Sequence, residues 1–280
     1  MIIDSHVHIG KNSPWGSFEP EYLLRITEKV DYLICSNIEG IDSQNFKNEL
    51  DCNIEMLETS RKYPKIKPLM VCQPNISEDE NQVRKLLEMF SEFIGLKFHP
   101  ECMKLAADNF KYDKYLKLAE EFGLPCLYHS GHIKSKYSSP CLIYKKAQEF
   151  PTVPIILGHL STGPRQVHIE AIEILLESIE KNNSNLFVDI SWIDFAYENL
   201  NETYEDTIML IKALKNTKRG DYTNRILWGS DCPVGKFNHT RESYEKNLET
   251  FKQRILESFN DEYLLENLLS RNAMKLYKLY

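Results

Sequence analysis

Met1-Ile2-Ile3-Asp4-Ser5-His6-Val7-His8-Ile9-Gly10 opens the chain as an apolar strand whose far end carries acid and imidazole side chains. Side chains on a β-strand repeat every two residues, so this spacing puts Asp4, His6 and His8 on one face. An open, doubly wound sheet would want a glycine-rich turn after its first strand. Two histidines stand there instead, which turns the reading toward a closed barrel. Short apolar or β-branched runs recur at 1–7, 31–36, 67–73, 93–98, 126–129, 155–158, 186–190 and 225–229. Helically spaced apolar residues fill most gaps: Leu86, Leu87, Met89 and Phe90, then Tyr115, Leu116, Leu118 and Ala119, then Ile169, Ile172, Leu175, Leu176 and Ile179. Gly123-Leu124-Pro125 and Pro151-Thr152-Val153-Pro154 sit where a helix should stop before the next strand. This alternation predicts an α/β fold, a (β/α)8 TIM barrel forming a single domain over residues 1–280.

Composition narrows the function classes. The 280 residues are 42% hydrophobic and 27% charged, with 11 Gly and 12 Pro, which excludes disordered, collagen-like and low-complexity chains. A net charge of −7 repels a phosphate backbone, so no nucleic-acid partner is expected. Seven scattered cysteines without a C-x-x-C pair suggest neither a disulfide framework nor a zinc ribbon, and fit a reducing compartment. The amino terminus lacks the basic and apolar regions of a signal peptide, and no run reaches the length that spans a bilayer. The expectation is a cytoplasmic protein without a membrane partner, with a small-molecule substrate and room for a homo-oligomer.

In such a barrel the active site lies at the carboxyl ends of the strands. His6 and His8 there make a metal half-site, since neutral imidazole is a good ligand for Zn²⁺ and its neighbours. Other strand ends offer partners: Tyr128-His129-Ser130-Gly131-His132, Gly158-His159-Leu160 and Gly229-Ser230-Asp231-Cys232-Pro233. A lone H-x-H is weak; the coincidence of four such ends is stronger.

The segments IIDSHVHIG, GLKFHP (95–100), YHSG (128–131), ILGHLS (156–161), ILWGSDCP (226–233) and RNAMKLY (271–277) resemble the amidohydrolase superfamily. The match is to its amidohydrolase-related branch, which includes aminocarboxymuconate semialdehyde decarboxylase. The resemblance runs in order over essentially the whole chain and implies a metal-dependent TIM barrel. By motif it implies His6, His8, His129 and Asp231 as metal ligands, with Asp231 and His159 as catalytic groups. The cofactor it implies is one divalent ion, zinc first, with Mn, Fe or Ni as alternatives; a second metal is not expected. Such a centre lowers the pKa of a bound water toward neutrality. Asp231 can then hold the water's proton, while His159 takes a proton or stabilises developing charge.

Lys97 and His99 alternate on the fourth strand and are read as substrate-binding residues, as is Arg165 after the sixth. Lys97 has two other readings, a carboxylated metal bridge or the partner of a buried acid such as Asp4 or Asp189. His99 serves equally well as a structural residue, and Arg165 as a surface arginine. Asp189 and Ser191 are read as a polar pair lining the pocket, with Trp192 as its wall. His132 reads as a solvated loop residue, His168 and His239 as bland, Cys232 as packing, and Trp15 and Phe18 as core or pocket wall. The leading function is a metal-dependent hydrolase that attacks an amide, ester or lactone of a small, carboxylate-bearing molecule through a metal-bound hydroxide. A metal-dependent, non-hydrolytic decarboxylase is the alternative. A non-catalytic metal-binding barrel ranks below both, because none of the five core positions is missing, and a binuclear nuclease lacks its bridging glutamate at Gly95-Leu96-Lys97.

Overall fold

The apolar runs become strands β1 (Ile3–Ser13), β2 (Gly16–Phe18), β3 (Tyr32–Asn37), β4 (Ile66–Val71), β5 (Gly95–Phe98), β6 (Cys126–Tyr128), β7 (Ile155–Leu157), β8 (Leu186–Asp189) and β9 (Ile226–Leu227). This computed structural model describes residues 1–13, 16–41, 47–76, 80–182, 185–191, 200–234 and 240–279. Trp15, Trp192 and His239 lie outside the described residues. Among the described residues, the strands form one sheet in the order β2-β1-β3-β4-β5-β6-β7-β8-β9, parallel except for the β1–β2 hairpin. A parallel bridge from Val7 to Cys232 closes it. The helices between successive barrel strands are α1 (Pro20–Ile26), α2 (Glu49–Lys62), α3 (Glu80–Met89), α4 (Pro100–Met103), α5 (Asp113–Phe122), α6 (Pro140–Glu149), α7 (Arg165–Glu180) and α8 (Leu200–Lys215). Helices α9 (Arg241–Phe259), α10 (Glu262–Glu266) and α11 (Asn272–Tyr277) follow the last strand. The result is the expected α/β single-domain barrel.

Period two sorts the strand residues into two cores. Ile3, Ile34, Leu69, Leu127, Ile156 and Leu227 point inward and form the barrel floor, sealed by Ala273, Leu276 and Tyr277 of α11. Their neighbours Leu33, Cys35, Met70, Cys126, Tyr128, Ile155, Leu157 and Trp228 face the helices. Each aliphatic or aromatic side chain buried there contributes about 1.5–3 kcal/mol relative to exposure. Helix ends follow their sequence signals: Gly123 closes α5 at φ +62°, and the Ser139 side chain accepts a hydrogen bond from Cys141 N at the start of α6. Met89 departs from its apolar stripe, because it ends α3 and is 69% exposed, while Leu86 and Leu87 bury that face. Among the described residues no helix is long and apolar enough to cross a membrane.

One expectation about β1 fails. Asp4 pairs with Leu33 and Val7 with Cys35, so three residues on β1 span two on β3. This bulge inserts one residue and reverses the alternation between Asp4 and His6. Asp4 therefore joins the helix layer, accepting hydrogen bonds from the Ser230 hydroxyl at 2.5 Å and the Tyr244 hydroxyl of α9 at 2.7 Å. Burial raises its pKa to about 6. His6 and His8 alone turn into the barrel mouth.

Candidate metal centre

Closure of the barrel brings together residues more than two hundred positions apart. Ser5 N–H donates to Trp228 O (3.1 Å), Asp231 N–H to His6 O (2.8 Å) and His8 N–H to Cys232 O (2.9 Å), zipping β1 to the segment after β9. Asp231 sits at φ +57°, a left-handed conformation uncommon for a non-glycine residue. Its Oδ1 lies 3.0 Å from His8 Nε2 and 3.5 Å from His6 Nε2. Ligand atoms of His6, His8 and Asp231 all lie within 4.8 Å of one another, and all three residues are buried.

A second set of side chains fixes the imidazoles. His6 Nδ1 contacts Asp189 Oδ2 at 3.1 Å; a carboxylate only accepts, so Nδ1 carries the proton and Nε2 keeps its lone pair. His8 Nδ1 lies 2.9 Å from Ser36 Oγ, which can accept a hydrogen bond from Nδ1–H when Nε2 is needed as a ligand. Asp189 Oδ1 accepts from the backbone N–H of His159 (3.0 Å) and of Ser191 (2.9 Å). The Ser191 hydroxyl lies 2.9 Å from His159 Nδ1 and 3.0 Å from His6 Nδ1. His159 itself is held at φ +67° and stacks on His6 with ring centroids 4.7 Å apart. Its neighbour Gly158 has no room for a side chain, since a Cβ there would meet the Tyr128 carbonyl oxygen at 2.8 Å.

Lys97, His99 and His129 complete the wall. Lys97 Nζ lies 2.7 Å from His6 Nε2, and burial lowers its pKa to about 8. His99 accepts a hydrogen bond from Cys102 N at 3.2 Å and stacks flat on His129, centroids 4.0 Å apart. Burial, helped by the Lys97 charge, lowers the His129 pKa to about 3. Burial also holds His6, His99 and His159 well below the ordinary imidazole range, abetted by Lys97 at His6, by His129 at His99 and by His6 at His159. These rings are therefore neutral near pH 7, the form that ligates a metal. Two imidazoles and a carboxylate converging on one point fit a divalent ion such as zinc.

A small cavity of about 60 Å³ opens on this cluster, lined by His8, Lys97, His99, His129, His159 and Asp231 and rimmed by Ile38, Ile41 and Val234. His129 thus shares the cavity wall, but among the described residues it is outside the converging triplet. Arg165 needs correction: it does not line the cavity, because its Nε bonds Asp206 Oδ1 at 2.7 Å. His168 Nδ1 contacts the other oxygen of that buried carboxylate at 2.6 Å, so α7 and α8 share an ion cluster that removes the arginine from the mouth. Neither suggested acid partner bonds Lys97, whose near neighbour is His6. Sequence reading missed Ser36 and the orienting role of Asp189. Ser36 is the penultimate residue of β3, in register with His8, and a polar residue near a strand end was its available signal.

Solved structures share this architecture. A probable 2-pyrone-4,6-dicarboxylic acid hydrolase from Acinetobacter baumannii, with citric acid bound, superposes with a TM-score of 0.68 at 14% identity, covering 99% of each chain. An amidohydrolase from Burkholderia multivorans with bound zinc gives 0.69 at 13% identity over 100% of both chains. The 5-carboxyvanillate decarboxylase of Sphingomonas paucimobilis gives 0.61 at 14% identity, covering 93% of this chain and 83% of its own. At such identities the likeness establishes the fold. No curated protein matches the sequence. The amidohydrolase family model, however, matches residues 3–279, and on that match the chain belongs to the amidohydrolase family.

Proposed function

We propose that this protein is a metal-dependent hydrolase acting on an amide, ester or lactone of a small, carboxylate-bearing molecule. The observation that supports it best is the convergence of His6, His8 and Asp231 beside an open cavity at the carboxyl end of the barrel. In this reading His6, His8, His129 and Asp231 hold one divalent ion, zinc first. When bound, such an ion polarises a carbonyl and lowers the pKa of water. Asp231 directs Oδ1 toward the two imidazoles, leaving Oδ2 to accept a proton. His159, neutral and anchored through Nδ1 to Ser191, offers its other ring nitrogen to the substrate oxygen or leaving group. Elemental analysis of metal-loaded protein should give about one equivalent per chain. Two equivalents with a carbamate on Lys97 would overturn the single-ion assignment.

Lys97 is the residue proposed to read the substrate's charge, with His99 beside it on the cavity wall. A lone pair serves one cation, so Lys97 would lose its 2.7 Å contact with His6 Nε2 if that nitrogen held an ion. The buried ammonium then needs an anion. Lys97→Met is expected to weaken turnover or binding roughly tenfold more for a carboxylate substrate than for its neutral amide analogue, the scale of one charge-assisted hydrogen bond. Equal losses for acid and amide would remove Lys97 from this role. Decarboxylation is the second reading, carried by the likeness to 5-carboxyvanillate decarboxylase. Assaying a substrate panel for CO₂ release as well as for hydrolysis separates the two.

A further inference from the structure

The cavity wall at His129 is also the inner edge of a second, open depression of about 570 Å³. Its floor and outer rim are the loop between β6 and α6, with Glu101, His132, Lys134, Lys136 and Thr162 around it. The loop is a built feature. Gly131 N–H donates to Ser138 O at 2.9 Å, Ala107 N–H to Tyr137 O at 2.7 Å and Thr162 N–H to Ser130 O at 2.9 Å. A side chain on Gly131 would meet the Ser138 hydroxyl, so it would force that hydroxyl to shift.

The acid of the depression is engaged in holding the loop: Glu101 Oε2 accepts from the Ser135 hydroxyl at 2.6 Å and the Ser138 hydroxyl at 2.8 Å. The cations are not so engaged. Lys134 is exposed, and the Lys136 ammonium lies over the Tyr137 ring, 4.9 Å from its centroid. Neither pairs with a carboxylate among the described residues. His132 Nδ1 accepts from Lys134 N at 3.0 Å, which leaves Nε2–H as the donor of the neutral ring. Two ammonium groups and an N–H donor therefore face one committed carboxylate, in a chain whose net charge is −7. Positive charge concentrated beside a reaction centre attracts an anionic ligand.

We infer that this shelf of Lys134, Lys136 and His132 is a specificity subsite that takes a carboxylate on the part of the substrate remote from the scissile carbonyl. The inference rests on the reading of the neighbouring cluster as a metal-dependent hydrolytic centre. It makes the substrate class an amide, ester or lactone carrying a terminal carboxylate, with one end at the metal cavity and the other across His129.

Binding of α,ω-dicarboxylates from glutarate to suberate to the zinc-loaded protein, each against the monocarboxylate of equal length, tests the subsite without a known substrate. At least one dicarboxylate should bind about fivefold more tightly than its monocarboxylate at low ionic strength, the scale of two exposed ion pairs. Added salt should erode that preference. The double variant Lys134→Gln/Lys136→Gln, changed only at exposed positions, should lose the preference and bind monocarboxylates as the unaltered protein does. Absence of the preference at every length, or its survival in the double variant, overturns the subsite. Monocarboxylates that bind metal-free and zinc-loaded protein alike count instead against the metal centre, and the dicarboxylate preference still decides the shelf.

Discussion

Asp231→Asn is expected to leave the barrel folded and to lower turnover about 10²–10⁴-fold, the span associated with loss of a general base. Folding should survive for two local reasons. The backbone N–H of residue 231 still donates to His6 O at 2.8 Å, which preserves the closing seam. The left-handed φ of +57° suits asparagine, among the non-glycine residues that most readily adopt it. Alanine would be a poorer probe, because it adds backbone strain to the chemical loss. The chemistry should not survive. The amide removes the charge that draws His6 and His8 toward one point, and it supplies no oxygen basic enough to hold a proton. Thermal unfolding should stay near that of the unaltered protein while kcat/KM falls with any substrate found in the activity panel. Near-normal kcat/KM would reduce Asp231 to a structural residue.

Asp189→Asn should weaken zinc binding about 10–100-fold, the usual effect of removing a group that orients a ligating histidine. Asp189 is 1% exposed and accepts on both oxygens: Oδ2 from His6 Nδ1–H, Oδ1 from two backbone N–H groups. An amide has one acceptor and one donor end, so either orientation sets a donor against a donor. If the NH₂ faces His6, the ring relieves the clash by moving its proton to Nε2, which removes the lone pair from the metal side. If it faces His159 and Ser191, the left-handed turn that presents His159 loses its anchor. Competition for zinc with a chromophoric chelator measures the effect, and Ser191→Ala provides a milder comparison at the same network. An affinity equal to that of the unaltered protein would mean that His6 holds its tautomer without Asp189.

These two predictions divide along the line between what the sequence settles and what it does not. The positions of the strands were legible because apolar runs and helical periodicity are properties of a few neighbouring residues. The inward direction of Lys97 follows from the same local alternation, as does that of His6 relative to His8. The family motifs likewise lie within single strand ends, so His129, His159 and Asp231 could be singled out one by one.

Contacts between segments required the fold. The bulge that sends Asp4 to the helix layer is a mismatch between β1 and β3, invisible in either strand alone. Arg165 was drawn toward the mouth by its place after a strand, yet the carboxylate that captures it stands 41 residues away on another helix. Ser36 and Asp189 become orienting groups only once β1 lies between its neighbours and the barrel closes, because a hydrogen bond needs both partners at about 3 Å. Local spacing nominated the side chains for the mouth. Register, closure and competing ion pairs decided which of them meet, since those depend on distances that chain order does not contain.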